Sequence, residues 1–324
     1  MLKRSLYLLV GVTLGLVATV LALRATRPDQ IGAYLAQVDA GWLGVSIAGA
    51  IVVALSKAGR WQAMFSRRDG RPSYAALFSA MIIGQTTNVL LPLRLGEVAR
   101  TLTLKRQAGV PVALGMGTVV AEKLADLSFF GFGVLALPWL AGIPAWLRDS
   151  AVAVLTIGAF AAIAAGVMVA RPEWRMSVAG LAPGRLRVWL SAPLEHFLEG
   201  WSVLWRLGMR GRVWRWTLGI WLLSAITPAA LAQAIGRPLL PGTLLMLLIA
   251  LQVSFVLPTP PGLLGVVQYI CVLILPFNGA DPTAAFAYGL LLNGVLVIPL
   301  VMCGVMAWLY VVGRSPARAP TVSS

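Results

Sequence analysis

The chain is a succession of long apolar runs separated by short stretches that hold most of its basic residues. The runs cover residues 5–23, 43–55, 74–91, 111–140, 151–170, 216–234, 243–257, 262–277 and 283–312. A helix that crosses a bilayer needs about 20 mostly apolar residues. Charged residues form only 11% of the chain, against about a quarter in soluble domains. The sequence therefore predicts an all-α polytopic membrane protein without a soluble catalytic domain.

The distribution of lysine and arginine predicts the orientation, because loops rich in these residues remain in the cytoplasm. Residues 57–71 carry five of them and residues 171–215 carry eight, so both segments are predicted to be cytoplasmic. If every run crossed the membrane, this arrangement would be impossible, and Lys105 and Arg106 would lie outside. The conflict disappears if two segments re-enter on the side from which they came. The prediction is a multi-pass protein of the cell inner membrane with both termini cytoplasmic.

The two segments predicted to be re-entrant are residues 74–104 and 243–277, and helix-breaking residues interrupt each of them. Asn88 and Pro92 interrupt the first, and Pro258, Pro260, Pro261 and Gly262 interrupt the second. Proline removes a backbone donor and blocks a helix, and the freed groups must be buried in protein or line a wet cavity. We therefore predict about six spanning helices and two re-entrant broken-helix hairpins, arranged as an inverted repeat, a plan typical of transporters.

These features divide one membrane domain, residues 1–324, into successive parts. Residues 1–42 form an N-terminal anchor helix, uncleaved because its apolar part is longer than that of a signal peptide, and a loop. The other parts are a first half at 43–140, a linking helix at 151–170, a cytoplasmic interfacial segment at 171–215, a second half at 216–312 and a disordered tail at 313–324. The interfacial segment is either a simple connector or a docking surface for anionic lipid.

Charged residues inside the predicted membrane segments identify the candidate site. Arg94, Glu97 and Arg100 follow Pro92 at three-residue steps and are expected to pair with one another. Glu122, Lys123 and Asp126 lie within the run at 111–140. A single charge at mid-bilayer costs about 2.5–3.5 kcal/mol, so these six must be paired or hydrated. They form either a structural salt-bridge network or a headgroup site.

In the second interpretation, Arg94 contacts an anionic headgroup, because it combines a guanidinium fork with the positive end of a half-helix. The breaks themselves are the structural elements Pro92, Pro258, Pro260 and Pro261. The full set of candidate substrate-binding residues is Asn88, Arg94, Glu97, Arg100, Glu122, Lys123, Asp126, Thr259, Gly262 and Gln268. No catalytic residue, metal ligand or cofactor is expected.

Three elements of the sequence resemble a known family. They are the stretch from Asn88 to Arg100, the Glu-Lys-Leu-Ala-Asp stretch from Glu122 to Asp126, and the Pro-Pro-Gly-Leu-Leu-Gly stretch from Pro260 to Gly265. Together they are similar to the flippase-like family named for the transmembrane region of lysylphosphatidylglycerol synthase. The resemblance implies movement of aminoacyl-phosphatidylglycerol, polyprenyl-linked or hopanoid-type lipids between leaflets. Members often carry a Glu where this chain has Gln268, and the aminoacyltransferase domain of the synthases is not expected here.

Two other classes of function remain open at this point. One is a non-transporting membrane protein that supports the assembly of envelope lipid or glycan, and the other is an enzyme that uses Glu122 and Asp126. Catalytic motifs give the second little support, since His196 is the one histidine and no nucleophile elbow occurs. The expected partners are a membrane lipid substrate and anionic lipids at the cytoplasmic face, with no nucleic acid. A homo-oligomer and a separate lipid-modifying enzyme are further hypotheses.

Overall fold

A computed structural model describes residues 2–65, 71–91, 95–140, 210–254 and 260–313, and all regular structure within them is helical. The α-helices are α1 Leu2–Arg24, α2 Pro28–Ala36, α3 Ala40–Ala63, α4 Tyr74–Leu90, α5 Gly96–Ala108, α6 Val112–Leu140, α7 Arg210–Ala234, α8 Pro241–Ser254, α9 Val266–Ile274 and α10 Pro282–Gly313. Two 3-10 turns, Pro261–Leu263 and Leu275–Asn278, flank α9. The all-α prediction is confirmed.

Four helical segments of the described part are long and apolar enough to cross a membrane. They are Ala40–Ala63, Gly211–Ala234, Pro261–Asn278 and Pro282–Gly313. Their ends follow local chemistry: the Asp39 carboxylate accepts a hydrogen bond from Trp42 N at the start of α3, and Asp281 accepts from Thr283 N and Ala284 N at the start of α10. The chain is therefore a membrane protein, in agreement with its apolar runs.

Helices α3 and α7 pack side by side and run in opposite directions. Asp39 N donates to Ala234 O at 2.8 Å, and Ser46 Oγ donates to Thr227 O at 2.8 Å. At the other end, a Cβ atom on Gly59 would lie 2.9 Å from the Trp216 ring. The end of α3 and the beginning of α7 therefore share one end of the bundle.

Helices α4 and α5 form an antiparallel hairpin whose two open ends lie together. Gln107 Nε2, near the end of α5, donates to Ser79 Oγ in the second turn of α4 at 3.0 Å. Closer to the break, a Cβ atom on Gly84 would lie 2.6 Å from Gly96 O, so these two backbones are in direct contact. The hairpin needs glycine at this crossing.

We call the shared end of the bundle the basic end, because Arg71, Lys105, Arg106, Arg212 and Arg215 lie at or near it. It contains the end of α3, the beginning of α4, the end of α5 and the beginning of α7. The buried residues Trp61, Phe65, Leu77, Leu104 and Val213 form one apolar core there. The far end of the bundle is called the opposite end.

Helices α8 and α9 form a second hairpin, which opens toward the opposite end. Asn278, just after α9, accepts a hydrogen bond from Leu240 N and donates to Pro238 O, which ties it to the beginning of α8. A second apolar core surrounds this hairpin and includes Leu247, Val267 and Tyr288. The two hairpins thus open at different ends of the bundle.

Helix α1 packs against the second hairpin. A Cβ atom on Gly15 would lie 2.5 Å from Pro260 Cγ, and one on Gly265, which has a φ of 82°, would collide with Thr19 and with Gly15 O. Only glycine fits this crossing, since both the space and the positive φ exclude a side chain at Gly265. The predicted anchor helix is therefore an integral part of the helix packing.

Helix α2 lies in a segment that was predicted to be a loop, and it contacts other elements at the opposite end. Tyr34 OH donates to Asp281 Oδ2 at 2.8 Å, and Arg237 lies 3.6 Å from the same oxygen. Burial raises the pKa of the Asp281 carboxyl, but hydrogen bonds from Ala284 N and Tyr34 OH outweigh it, so the pKa lies below its ordinary value. Asp281 thereby joins α2 to the beginning of α10.

Two predicted boundaries are wrong. Lys57 and Arg60, assigned to a cytoplasmic loop, lie within α3, which continues to Ala63. Helix α7 begins at Arg210, so residues 210–215 belong to it and not to the interfacial segment. The linking helix at 151–170, most of the interfacial segment and most of the tail lie outside the described residues.

Candidate functional site

Arg60 is a fully buried cation at the centre of the charged side chains. Its guanidinium binds both Asp126 carboxylate oxygens, with Nη2 at 3.0 Å from Oδ2, and Nη2 also lies 3.1 Å from Glu122 Oε1. Nη1 donates to Thr217 Oγ1 at 3.2 Å. This one side chain therefore connects α3 to α6 and α7, and it offsets two carboxylates in an apolar helix packing.

Arg100 is the second arginine of the group and pairs with the other side of Glu122. Arg100 Nη2 lies 2.7 Å from Glu122 Oε2, and both side chains are 7% exposed. The guanidinium carbon lies 3.9 Å from the centre of the Trp61 ring, a cation–π contact. Trp61 Nε1 in turn donates to Thr118 Oγ1 at 2.9 Å. Glu122 thus pairs with Arg60 of α3 and with Arg100 of α5 at the same time.

Glu97 lies nearer the first break and pairs with different groups. Asn88 Nδ2 donates to Glu97 Oε2 at 3.1 Å, while Asn88 Oδ1 accepts from Gly96 N at 2.7 Å. Lys123 Nζ lies 3.8 Å from Glu97 Oε1, with 61% of the lysine side chain exposed. Asn88 therefore closes the tip of the first hairpin, and Lys123 is the accessible member of this group.

We call Lys57, Arg60, Glu97, Arg100, Glu122, Lys123 and Asp126 the ionic cluster. Lys57 belongs to it because its charge interacts with those of Asp126 and Glu122. Among the described residues, no group of three or more His, Cys, Asp or Glu side chains is arranged to hold a metal ion. In chemical terms the cluster is a set of cations and carboxylates that can fix a helix hairpin or receive a charged ligand.

The second break brings backbone groups and two polar side chains together. Gly262 has a φ of 71°, and its carbonyl accepts from Asn293 Nδ2 at 2.9 Å. Gln268 is buried, and its Oε1 accepts from Gly265 N at 2.7 Å, which caps α9. The 3-10 turn at Pro261–Leu263 contacts α4 and α10. The described part of this break therefore lies against the first hairpin.

Helix lengths place both breaks at a similar level. At 1.5 Å per residue, Asn88 lies about 21 Å along α4 from the basic end, and α3 spans about 36 Å between the two ends. Gly15, which touches the second break, lies about 14 Å from the end of α1 at the opposite end. Both breaks are thus about 15 Å from the opposite end.

The structure brings most of the predicted site residues into two groups. Asn88, Glu97, Arg100, Glu122, Lys123 and Asp126 lie in or beside the ionic cluster, whereas Gly262 and Gln268 lie at the second break. Arg94, Thr259, Pro92 and Pro258 lie outside the described residues. Glu97 and Arg100 were expected to pair with each other, and this is wrong, because their partners are on α4 and α6.

Arg60 is a functional residue that was not among the predicted site residues. The run that was ended at residue 55 is only about 13 residues long, too short to cross a membrane, which needs about 20. Extending it to a full span takes it past residue 60 and places Arg60 inside the helix. Segment length was therefore the signal that could have identified this residue.

Comparison with known proteins adds one finding. The family profile described as the lysylphosphatidylglycerol synthase TM region matches residues 8–304. No curated protein and no solved structure matches the chain. The match covers both helix hairpins and the ionic cluster, and it confirms the resemblance inferred from the sequence motifs. The chain belongs to the lysylphosphatidylglycerol synthase TM region family.

Proposed function

We propose that this protein moves an anionic or headgroup-modified lipid between the leaflets of the membrane. The observation that carries the proposal is the arrangement of the two hairpins, which open at different ends of the bundle and have their breaks at one level. Broken helices in two inverted halves are the usual setting of a transport site near the midplane. The family of the chain supports a role in lipid-related processes.

In this proposal both hairpins are re-entrant and the two halves form an inverted repeat. The contacts of Gln107 with Ser79 and of Asn278 with Leu240 support it, since each hairpin begins and ends on one side. The described chain also begins and ends at the basic end, with α1 starting and α10 finishing there. An inverted repeat lets one half rock against the other around a fixed site, which gives access to each leaflet in turn.

The ionic cluster supplies the charged environment for the headgroup. Arg60 and Arg100 hold Glu122 and Asp126 in place, so these carboxylates have few lone pairs left to accept a proton from a substrate. Because arginines already engage both carboxylates, transport is favoured over the alternative of an enzyme based on Glu122 and Asp126. Asn88 and Glu97 extend the polar surface to the first break, where Arg94 follows in the sequence.

Transport in proteoliposomes tests the proposal directly. Vesicles containing acyl-chain-labelled fluorescent phosphatidylglycerol or phosphatidylcholine are treated with an impermeant quencher, which reaches only the outer leaflet. We expect the protein to increase the quenched fraction above the half seen in protein-free vesicles, to a degree that depends on the headgroup. Equal quenching with and without protein, for every headgroup tested, would favour the non-transporting role in envelope assembly.

The first specific prediction concerns Arg94. We expect Arg94→Ala to abolish most transport and Arg94→Lys to lose nearly as much, because lysine keeps the charge but lacks the planar fork of donors. Transport rates and melting temperatures measured together separate binding from folding. Glu97→Gln is the matched variant: it lowers stability if the network is structural and lowers turnover if it is functional. Normal transport by both Arg94 variants would remove Arg94 from the site.

The second prediction concerns the side on which the first hairpin opens. In a background lacking Cys271 and Cys303, we expect Lys105→Cys to be labelled by an impermeant thiol reagent only after the cytoplasmic face is exposed. Gln37→Cys, exposed on the loop after α2, is the control and should be labelled in intact cells. Labelling of position 105 in intact cells would contradict the re-entrant hairpin.

A further inference from the structure

Lys57 is the one cation of the ionic cluster for which the described residues provide no ion pair. Arg60, Arg100 and Lys123 each lie within 4 Å of a carboxylate. Asp126 interacts electrostatically with Lys57, but both of its oxygens are already engaged by Arg60. The charge of Lys57 is therefore not neutralised by direct contact within the cluster.

The ionic cluster as a whole also carries more positive than negative charge. Four cations face three carboxylates, which leaves a net charge of +1. The Nε groups of Arg60 and Arg100 also have no hydrogen-bond acceptor in the described part of the protein, but they are buried and out of reach of a ligand. The cluster thus has more positive charge than its own carboxylates offset, and an added anion would neutralise the surplus.

The position of Lys57 on α3 argues against simple snorkelling to the nearer surface. Lys57 lies one turn before Arg60, and α3 ends at Ala63 at the basic end. Side chains on an α-helix tilt toward its N-terminus, which for α3 is the opposite end. Lys57 is half-buried, and this tilt favours a direction away from the basic end. An unpaired lysine in that position would cost about 2.5–3.5 kcal/mol in hydrocarbon.

We infer that Lys57 binds the phosphate of a lipid whose headgroup carries a net negative charge. The inference rests on the proposed function and narrows its substrate class. A phosphodiester brings one negative charge, which matches the surplus charge of the cluster, and acceptor oxygens for the Lys57 ammonium. A lysyl headgroup would add positive charge to a cluster that already has an excess. The site therefore favours a phosphatidylglycerol-like lipid over its lysylated form.

Binding to the purified full-length chain tests the inference. The probes are dioctanoylphosphatidylglycerol, dioctanoylphosphatidylcholine and free glycerol phosphate. We expect the wild type to bind phosphatidylglycerol more tightly than phosphatidylcholine, and Lys57→Gln to weaken phosphatidylglycerol binding on the order of tenfold, with a smaller loss for phosphatidylcholine, whose choline already offsets the phosphate charge. Lys57→Arg should stay close to the wild type. Lys105→Gln, an exposed charge at the basic end, is the matched control and should have no effect.

Three results would overturn the inference. One is unchanged phosphatidylglycerol affinity in Lys57→Gln, and another is an equal loss in Lys105→Gln, which would indicate a general electrostatic effect. The third is binding of free glycerol phosphate as tight as that of the lipid, which would make the ligand a soluble phosphate. Should Lys57→Gln fold poorly, amine labelling of Lys57 in the wild type decides, since bound phosphatidylglycerol is expected to slow that labelling several-fold.

The transport assay on the same variants separates this inference from the proposed function. Binding that depends on Lys57, without any movement of lipid between leaflets, would support the site and contradict transport. Transport that is equally fast for Lys57→Gln and the wild type, with the same preference among headgroups, would support transport and contradict the site.

Discussion

Replacing Arg60 by methionine is expected to lower the free energy of unfolding by about 3–5 kcal/mol, the cost of breaking a buried ion pair by removing one partner. Arg60 has no exposed surface, and it contacts both Glu122 and Asp126. After the substitution Glu122 keeps Arg100, but Asp126 loses the one cation that it contacts among the described residues. Thermal unfolding of the detergent-solubilised protein, followed by tryptophan fluorescence, measures the change.

A double variant shows whether the loss comes from the unpaired carboxylate. Asp126→Asn removes the charge that Arg60→Met leaves behind, so the double variant should be more stable than the sum of the two single losses predicts. Arg106→Met, which removes an exposed charge near the end of α5, is the matched control and should change stability little. If Arg60→Met melts like this control, the pairs around Arg60 do not hold the helices together.

The all-helical architecture could be predicted because the bilayer leaves few alternatives. Apolar runs of sufficient length fix the class, and proline and glycine mark the breaks, since both act locally on the backbone. The bounds of α3 were less predictable, because Lys57 and Arg60 look like loop residues when only hydropathy is considered. Their charges are tolerated inside the helix because α6 supplies carboxylates from more than 60 residues further along the chain.

Prediction of the site is limited because the partners of its charged residues lie on distant segments of the chain. The sequence identified Glu97, Arg100, Glu122 and Asp126 as charges that need partners, but not which partner each one takes. Spacing along a helix predicted a Glu97–Arg100 pair, whereas packing against Trp61 directs Arg100 to Glu122. Gln268 illustrates a different limit: its role as a cap of α9 depends on the positive φ of Gly265, a backbone property that one side chain's identity does not reveal.

The crossing of α4 and α5 makes Gly96→Ala the second substitution with a large expected effect. A Cβ atom on Gly96 would collide with the carbonyl oxygen of Gly84 and would lie 2.5 Å from the Asn88 side chain. The Gly84 oxygen is backbone and cannot move alone, so the two helices must separate. We expect a loss of about 3 kcal/mol, at the upper end of overpacking costs, because the added methyl group would also disturb the hydrogen bond that Gly96 N donates to Asn88 Oδ1.

Gly44→Ala separates this effect from the general consequence of adding a methyl group to a membrane helix. A Cβ atom on Gly44, inside α3, would meet nothing within 4 Å. This variant should therefore keep its free energy of unfolding, or gain about 1 kcal/mol at most from the better helix propensity of alanine. Transport should fall with Gly96→Ala and not with Gly44→Ala, since Asn88 and Glu97 are positioned by the hairpin crossing. Equal melting temperatures and transport rates for the two variants would mean that α4 and α5 do not approach each other at Gly84 and Gly96, and the closed first hairpin would then be wrong.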